Sequence, residues 1–219
     1  MSDYFANARL ELLPFVPPGV RRALDVGAAR GGFGQALKAE RGCEVWGIEP
    51  NAEAAAAARA VLDQVLDCPV EQALARLPAA GFDLIVFNDS LEHLADPEAV
   101  LALMAGKLGE GGSVLCSIPN VRYYKVLRQL VLRGEWEYAD EGVLDRTHLR
   151  FFTEKSIRRM FERLDFELLA LSGIHVRDRL GLRLLSALTL GRTRDLSCKQ
   201  FACLARPRPR ARPPQPARA

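Results

Sequence analysis

The 219-residue sequence has no apolar run of the roughly 20 residues that a membrane-spanning helix requires. Its first residues, Met-Ser-Asp-Tyr-Phe, lack the basic region and apolar core of a signal peptide. The five cysteines are scattered and form no Cys-x-x-Cys pair, so the sequence indicates neither a disulfide framework nor a zinc-binding module. These absences predict a globular protein of the reducing cytoplasm.

Histidine is scarce, and basic charge is confined largely to one end of the chain. The three histidines show no metal-ligand spacing, so no metal site is predicted. Residues 206–219 contain five arginines and no acidic residue. Because their positive charge exceeds the net charge of +3 of the whole chain, the preceding residues carry a net negative charge. Nucleic acid is therefore not expected as a partner. The Arg- and Pro-rich tail, residues 206–219, is expected to be disordered.

A glycine-rich turn is the most informative feature that is present. An apolar strand, Arg22–Val26, leads into a turn with the spacing Gly27-x-x-x-Gly31-x-x-Gly34, and a second strand ends in Glu49. This arrangement is typical of nucleotide-binding sites: a strand leads through a glycine turn into a helix, and an acidic residue follows about 20 residues on. The acidic residue accepts hydrogen bonds from the ribose hydroxyls. Asp25 just before the turn would repel a pyrophosphate, so the pocket suits a cationic ligand such as S-adenosylmethionine.

The turn resembles the first motif of class I S-adenosylmethionine-dependent methyltransferases, which reads roughly D-x-G-x-G-x-G. Asp25, Gly27 and Gly31 match this motif, whereas Ala29 replaces its middle glycine; alanine is expected to be tolerated there if its backbone keeps a negative φ. The resemblance covers about residues 23–206. It implies a Rossmann-like, doubly wound α/β fold, with a seven-stranded, mostly parallel sheet, helices on both faces and a reversed final hairpin.

Strand and helix patterns alternate along the chain, as expected for such a fold. Strands are predicted at 22–26, 44–49, 64–66, 82–87, 113–118, 166–171 and 199–205. Helices are predicted at 4–13, from the turn to 41, and at 51–61, 97–108, 121–133, 154–164 and 180–190. We expect one domain over residues 1–205, with insertions at about 120–152 and 173–196.

The resemblance assigns cofactor-binding residues to the ends of the first four strands. The turn residues Asp25, Gly27, Ala28, Ala29 and Gly31 would line the methionine part, and Glu49 with Pro50 the ribose. Asp67 would meet the adenine amine beside Cys68, and Asn88 with Asp89 would lie near the methionine ammonium. S-adenosylmethionine is thus the expected cofactor and S-adenosylhomocysteine its product.

Two further stretches point to the acceptor. Enzymes that methylate nucleobase amines carry a Pro-Pro-aromatic sequence here, which shapes a pocket for a planar base. The sequence Asn88-Asp89-Ser-Leu-Glu-His93 lacks it and resembles that of small-molecule methyltransferases instead. The run Leu144-Asp-Arg-Thr-His-Leu-Arg-Phe-Phe-Thr153 is similar to a bacterial branch found with polysaccharide- and glycan-modifying enzymes. His148 is the leading candidate for the general base, with Asp145 to orient it; His93 is an alternative base or a structural histidine. Candidate acceptor-binding residues are Arg122, Tyr123, Arg146 and Arg150.

The function expected from these features is O-methylation of a sugar or similar small hydroxylated metabolite by in-line transfer. An N-methyltransferase of an amino sugar or small amine, a nicotinamide-dependent oxidoreductase and a non-catalytic cofactor-binding module are the alternatives. The leucine-rich segment 180–190 is expected to pack against the core, to meet another subunit or, through its flanking arginines, to touch an anionic membrane surface weakly. The sequence does not determine the oligomeric state.

Overall fold

The computed structural model describes residues 8–209, which form a seven-stranded sheet covered by helices. The strands are β1 Arg22–Val26, β2 Glu44–Ile48, β3 Gln64–Leu66, β4 Phe82–Asn88, β5 Leu108–Pro119, β6 Phe166–Val176 and β7 Cys198–Pro207. Their spatial order is β3-β2-β1-β4-β5-β7-β6, and only β7 runs antiparallel to its two neighbours. The predicted fold class, including the reversed final hairpin, is confirmed.

Seven α-helices connect these strands. They are α1 Gly32–Arg41, α2 Ala52–Ala58, α3 Val70–Ala73, α4 Pro97–Ala105, α5 Tyr124–Arg133, α6 Glu154–Arg163 and α7 Leu180–Leu188. The start of α6 is fixed by a capping box between Thr153 and Ser156, and Asn51 caps α2 as predicted. Helix α4 begins with Pro97 after the capping side chain of Asp96, since proline suits a position whose N–H has no helical partner.

The sheet is buried on both faces by two separate apolar clusters. Alternate residues of β4 divide between them, because successive side chains of a strand point to opposite faces. Ile85 and Phe87 join one cluster, and Leu84 and Val86 join the other. The continuous apolar sequence of β4 is therefore explained by burial on both sides.

Several boundaries differ from the sequence prediction. Strand β5 begins at Leu108, so the preceding helix ends at Ala105 and does not reach residue 108. Strand β7 continues through Pro207, where Arg206 pairs with Glu167 of β6, so the predicted tail begins too early. The remainder of the tail beyond residue 209 and the start of the predicted helix 4–13 lie outside the described residues, and a 3-10 helix occupies Leu10–Phe15.

Two amphipathic helices leave apolar side chains exposed, which excludes core packing, one of the possibilities predicted for the segment 180–190. In α5 the side chains of Leu130 and Val131 are exposed, and Val126 packs inward with Tyr123 just before the helix. In α7 no residue is buried, and five leucines of the segment 180–190 face solvent. Within residues 8–209 no helix has the length and apolar character needed to cross a membrane.

Candidate functional site

A large cavity opens at the carboxyl ends of the parallel strands. Its volume is about 1310 Å³, and its walls come from the turn after β1, the end of β2, the segment 88–95 and the loop 137–149. Ligands of open α/β sheets bind at this edge, where the chain reverses its direction of travel across the sheet. The cavity has two ends: a cofactor end around residues 25–29 and 49–50, and an acceptor end around residues 92–93 and 143–149.

The glycine turn is tied to β2 through its backbone. The amides of Gly27 and Ala28 both donate to the carbonyl of Ile48. Gly27 has φ +79°, and a Cβ there would lie 3.0 Å from the Cβ of Ser90, so glycine is required. Ala29 has φ +48°, which contradicts the expectation of a negative φ and places an L side chain in the left-handed region.

Glu49 anchors the turn directly. Its side chain is buried, and its Oε2 accepts the Ala29 amide at 2.8 Å. Its Oε1 accepts the Asn51 amide at 2.8 Å, at the start of α2. The carboxylate therefore holds the cofactor-end turn against the next strand, in addition to the ribose contact that the sequence predicts.

Asp25 is a buried acid at the floor of the cofactor end. Its Oδ1 has no hydrogen-bond partner, and its side chain is 2 % exposed. Burial, with a smaller contribution from the charge of Glu49, raises the pKa of Asp25 to about 7. An unpaired carboxyl in such a place favours a ligand that brings positive charge.

Asn88 and Asp89 lie between the two ends of the cavity. Both polar atoms of the Asn88 side chain are buried without partners, whereas Asp89 Oδ1 accepts hydrogen bonds from Ser117 Oγ and Gln200 Nε2. The other oxygen of Asp89 forms an ion pair with Arg9. Arg9 lines the cavity and was not predicted, because an arginine ahead of the first strand carries no recognisable motif.

Three predicted cofactor-binding residues do not line the cavity, although Ala28 and Pro50 do. A Cβ at Gly31 would lie 2.7 Å from Val61 Cγ2, so this glycine serves the packing of the turn against the segment after α2. Asp67 pairs with Arg59 on the surface at 2.8 Å, and Cys68 lies beside it. The next residues, Pro69 to Glu71, line the cavity instead.

His93 and His148 meet at the acceptor end, although 54 residues separate them in the chain. Their ring centroids are 4.8 Å apart in an edge-to-face arrangement. Nδ1 of His93 donates to the Thr147 carbonyl at 3.2 Å, and Nδ1 of His148 donates to the Val143 carbonyl at 3.1 Å. Because a carbonyl can only accept, each Nε2 carries a lone pair. Burial lowers the pKa of both imidazoles and favours their neutral form.

Glu92 completes this group and was missed by the sequence analysis. Its side chain is fully buried, and neither carboxylate oxygen has a hydrogen-bond partner. Its Oε1 lies 3.9 Å from His148 Nε2, and burial raises the pKa of Glu92 to about 8. One ligand atom from each of Glu92, His93 and His148 lies within 4.8 Å of the others, a proximity that the sequence analysis did not predict.

The loop around Asp145 is organised differently from the prediction. Asp145 Oδ1 accepts hydrogen bonds from the amide and the hydroxyl of Thr147, at 2.8 and 2.6 Å. It therefore does not orient His148, whose ring is fixed by the Val143 carbonyl. Its negative charge still lies close enough to favour protonation of both imidazoles.

The predicted arginines of the acceptor site do not line the cavity, whereas Tyr123 does. Arg122 pairs with Asp195 at 3.0 Å and Arg146 with Asp140 at 2.7 Å. Arg150 donates to the carbonyls of Leu149 and Ala95. The arginine-rich sequence of this insertion therefore reflects structural pairing around the loop.

Comparison with protein families agrees with this geometry. A family model described as a methyltransferase domain matches residues 1–171. A ubiquinone biosynthesis O-methyltransferase of Aeromonas salmonicida is 29% identical over 162 residues, which is 71% of this chain and 66% of the relative. A protein of the same name from Psychrobacter arcticus is 30% identical over 165 residues, 71% of this chain and 62% of the relative. The match thus spans just under two thirds of these relatives' length.

Solved structures share the fold at lower sequence identity. A S-adenosylmethionine-dependent methyltransferase from Archaeoglobus fulgidus has a TM-score of 0.69 at 20% identity, covering 93% of this chain and 94% of that one. A Burkholderia thailandensis 1,6-didemethyltoxoflavin N1-methyltransferase, solved with its acceptor and S-adenosylhomocysteine, has a TM-score of 0.59 at 17% identity. It covers 93% of this chain and 77% of that one.

Proposed function

Since the chain belongs to the methyltransferase-domain family, we propose that it methylates a hydroxyl oxygen of a small acceptor held beside His93 and His148. The observation that carries this proposal is a single cavity with an acidic cofactor end and two imidazole Nε2 atoms at its acceptor end. The family predicted from the sequence, that of the methyltransferases, is confirmed. The fold shared with a S-adenosylmethionine-dependent methyltransferase supports S-adenosylmethionine as the cofactor. The acceptor and the chemistry at its oxygen are the proposal.

The cofactor end fits S-adenosylmethionine in charge and shape. Asp25 and Asn88 present buried polar atoms without partners, and Glu49 holds the turn that the cofactor would contact. Arg9 and Asp89 together offer a cation and an anion, which complement an amino-acid carboxylate and ammonium. When bound, the cofactor supplies a methyl group already activated by its positive sulfur. The protein's task is then to align the acceptor, which is worth about 7–11 kcal/mol when reacting atoms are well oriented.

The acceptor end supplies a way to remove the hydroxyl proton. The Val143 carbonyl holds the His148 ring through Nδ1, which leaves the lone pair on Nε2, so His148 is the group we assign as general base. His93 stands beside it with the same tautomer. General-base assistance contributes roughly 10²–10⁴-fold to the rate.

A sugar or another small hydroxylated metabolite is the acceptor class we propose. The curated relatives are named O-methyltransferases of ubiquinone biosynthesis, which favours oxygen over nitrogen as the methylated atom. Tyr123, Val126, Val143 and Leu144 give the cavity an apolar wall, so an acceptor with an apolar part would bind best.

Methyl transfer to a panel of sugars, amino sugars and phenols tests this function. We expect incorporation of labelled methyl into a hydroxylated acceptor, with an O-methyl signal in the product by NMR. His148→Ala should lower kcat by at least about 100-fold and leave the Kd for S-adenosylhomocysteine within about twofold. Glu98→Gln, on the exposed side of α4, is the control that retains activity.

Three results would contradict the proposal. Loss of cofactor affinity together with turnover in His148→Ala would mean that the loop is structural. An N-methylated product would favour the amine alternative, and tight cofactor binding without transfer to any acceptor would favour a binding module.

A further inference from the structure

We propose that the outer face of α7 and the cleft at its end bind an anionic phospholipid at a bilayer surface, with the lipid phosphate in the cleft. This inference goes beyond the proposed function, because it concerns a surface outside the cavity and needs no methyl transfer. It depends on two observations: the direction in which α7 turns its leucines, and the cations that line the cleft.

Helix α7 turns its apolar face outward. Leu180, Leu184 and Leu188 are spaced four residues apart and therefore share one face of the helix, and all three side chains are exposed. The half-buried residues of this segment are Leu182, Ser186 and Thr189. A helix that packs on a protein core shows the opposite arrangement, with most of its leucines inward and its hydroxyl groups in solvent. The outer face of α7 is therefore suited to an apolar surface outside the protein.

A cleft of about 560 Å³ lies where α7 ends. Its walls include the side chains of Arg122, Lys155 and Arg192. Among residues 8–209, which the structure describes, no hydrogen bond or ion pair engages the side chain of Lys155 or of Arg192. Hydrogen bonds from lysine or arginine to phosphate oxygens are among the stronger ones in proteins. The two cations therefore form a suitable site for a phosphate group.

The acids beside the cleft do not cancel these two cations. Arg122 pairs with Asp195 at 3.0 Å, and Glu154 is paired with Arg194 at 3.2 Å. The wider segment 177–194 carries five arginines and a single acid, so it is strongly basic. The surface around the outer face of α7 thus attracts an anionic partner.

The apolar face and the cleft meet at two leucines. Leu188 and Leu190 both line the cleft, although their side chains are 83% and 87% exposed. A ligand whose phosphate enters the cleft therefore also contacts leucine side chains. Phospholipids combine a phosphate with acyl chains in this way. A helix with one leucine face and basic residues beside it binds at the boundary between headgroups and acyl chains.

The charge of this surface disfavours a second copy of the chain as its partner. In a two-fold dimer the same surface patch contacts itself. The basic segments 177–194 of two copies would then lie close together and repel each other. A bilayer that contains anionic lipid complements both the exposed leucines and the arginines, so it is the partner we assign.

The surface adjoins the wall of the catalytic cavity. Arg122 lines the cleft, and the next residue, Tyr123, lines the cavity. Just before α7, the guanidinium carbon of Arg179 lies 5.3 Å from the centroid of the Tyr124 ring. A bilayer bound at α7 would therefore lie beside the wall of the cavity that Tyr123 forms.

Vesicle binding by the full chain tests the inference without a methyl-transfer assay. Phosphatidylcholine vesicles with and without phosphatidylglycerol are titrated, and bound protein is measured by co-sedimentation. We expect saturable binding to the vesicles that contain phosphatidylglycerol, and weaker binding at high salt because salt screens the arginines. Lys155→Ala and Arg192→Ala should each weaken binding about 5-fold through the loss of one cation. Leu188→Ala should weaken it by at least about 10-fold through the loss of buried apolar area.

Two substitutions on other surfaces are the matched controls. Arg21→Ala removes an exposed arginine just before β1, and Leu103→Ala removes an exposed leucine of α4. Both variants should bind the vesicles within about twofold of wild type, since neither residue lies at the cleft or on α7. Far-UV circular dichroism checks that each variant is folded.

Three results would overturn the inference. Equal vesicle affinity of wild type, Arg192→Ala and Leu188→Ala would assign binding to another part of the chain, such as the Arg- and Pro-rich tail. Binding of inorganic phosphate without binding of vesicles would mean that the cleft takes free phosphate. A lipid-free dimer that Leu188→Ala disrupts would mean that a second copy covers α7. Vesicle binding with the expected losses supports the inference whether or not a hydroxyl acceptor is methylated, so the two proposals are tested separately.

Discussion

The two ends of the cavity share one physical feature and differ in how the chain builds it. Each contains a buried carboxyl with oxygen atoms that lack partners: Asp25 at the cofactor end and Glu92 at the acceptor end. Burial raises the pKa of both, to about 7 and about 8. Burial therefore disfavours the ionised form of both carboxyls, and positive charge placed beside either one would favour its ionisation.

The difference lies in sequence distance. Asp25 and the glycine turn are contiguous, and Glu49 follows within about 20 residues, so a local pattern describes most of the cofactor end. Arg9 and Asn88 join this end from other segments of the chain. At the acceptor end, His148 comes from an insertion 56 residues beyond Glu92. A binding site assembled by a long insertion can change its acceptor while the cofactor end stays the same.

The largest expected effect at the cofactor end is that of Glu49→Ala. This change removes two charge-assisted hydrogen bonds, to the Ala29 and Asn51 amides, each worth about 1.5–3 kcal/mol. We expect at least a 10-fold higher Kd for S-adenosylhomocysteine by calorimetry, in contrast to the unchanged Kd of His148→Ala. Glu53→Ala, whose side chain is exposed, is the control. An unchanged Kd in Glu49→Ala would contradict the interpretation that the cofactor binds at the Glu49 end of the cavity and not at the His148 end.

The next effect is a pH dependence of cofactor binding that originates at Asp25. Because the folded pKa of about 7 lies above the unfolded value near 3.9, the ionised form is disfavoured in the fold. Stability of the ligand-free protein is therefore lost as pH rises from about 4 to 7. A cationic ligand stabilises the ionised carboxylate of Asp25 and therefore binds more tightly as this group ionises. Affinity for S-adenosylmethionine should rise about 10-fold between pH 5.5 and 7. Asp25→Asn should flatten this dependence; an equally steep profile in that variant would assign it to another group.

A smaller effect is expected from Ala29→Gly. Ala29 has φ +48°, a conformation that costs an L residue about 1–2 kcal/mol and costs glycine almost nothing. After the greater unfolded-state entropy of glycine is counted, we expect a gain of about 0.5–1 kcal/mol in the free energy of unfolding, measured with urea. The neighbouring Ala28→Gly should destabilise instead, because Ala28 is not among the residues with positive φ. Destabilisation of both variants would argue against the left-handed turn.

The smallest effect concerns α7, which lies outside both ends of the cavity. Leu184 is 57% exposed, so Leu184→Ala should change the free energy of unfolding by no more than about 0.5 kcal/mol. Leu101→Ala in the buried face of α4 should cost about 2–5 kcal/mol and provides the matched comparison. A large decrease in the free energy of unfolding of Leu184→Ala would instead support the core packing considered for this segment. Weak contact with an anionic membrane surface stays a prediction, to be measured by co-sedimentation with anionic vesicles.

Some errors of the sequence analysis have a common physical cause. Asp67 was assigned to the cofactor through the family resemblance, and the arginines at 122, 146 and 150 were assigned to the acceptor because charged residues near a site suggest binding. In the structure the three side chains Asp67, Arg122 and Arg146 form ion pairs with other residues of the protein. Charge type is visible in a sequence, but the partner that satisfies a charge is a property of the fold. The core packing considered for the segment 180–190 failed similarly, since periodicity predicts an apolar face without showing whether anything covers it.

The sequence alone determined the order of strands and helices, the turn after β1 and the acidic character of the cofactor end. These features depend on residues within about 25 positions of one another, where periodicity, capping and glycine requirements act locally. Only the tertiary structure decided that Glu92 joins two distant histidines, that carbonyl groups fix both imidazoles and that Arg9 meets Asp89. Those contacts depend on where the insertion and the N-terminal segment return to the sheet, and local patterns carry no record of that.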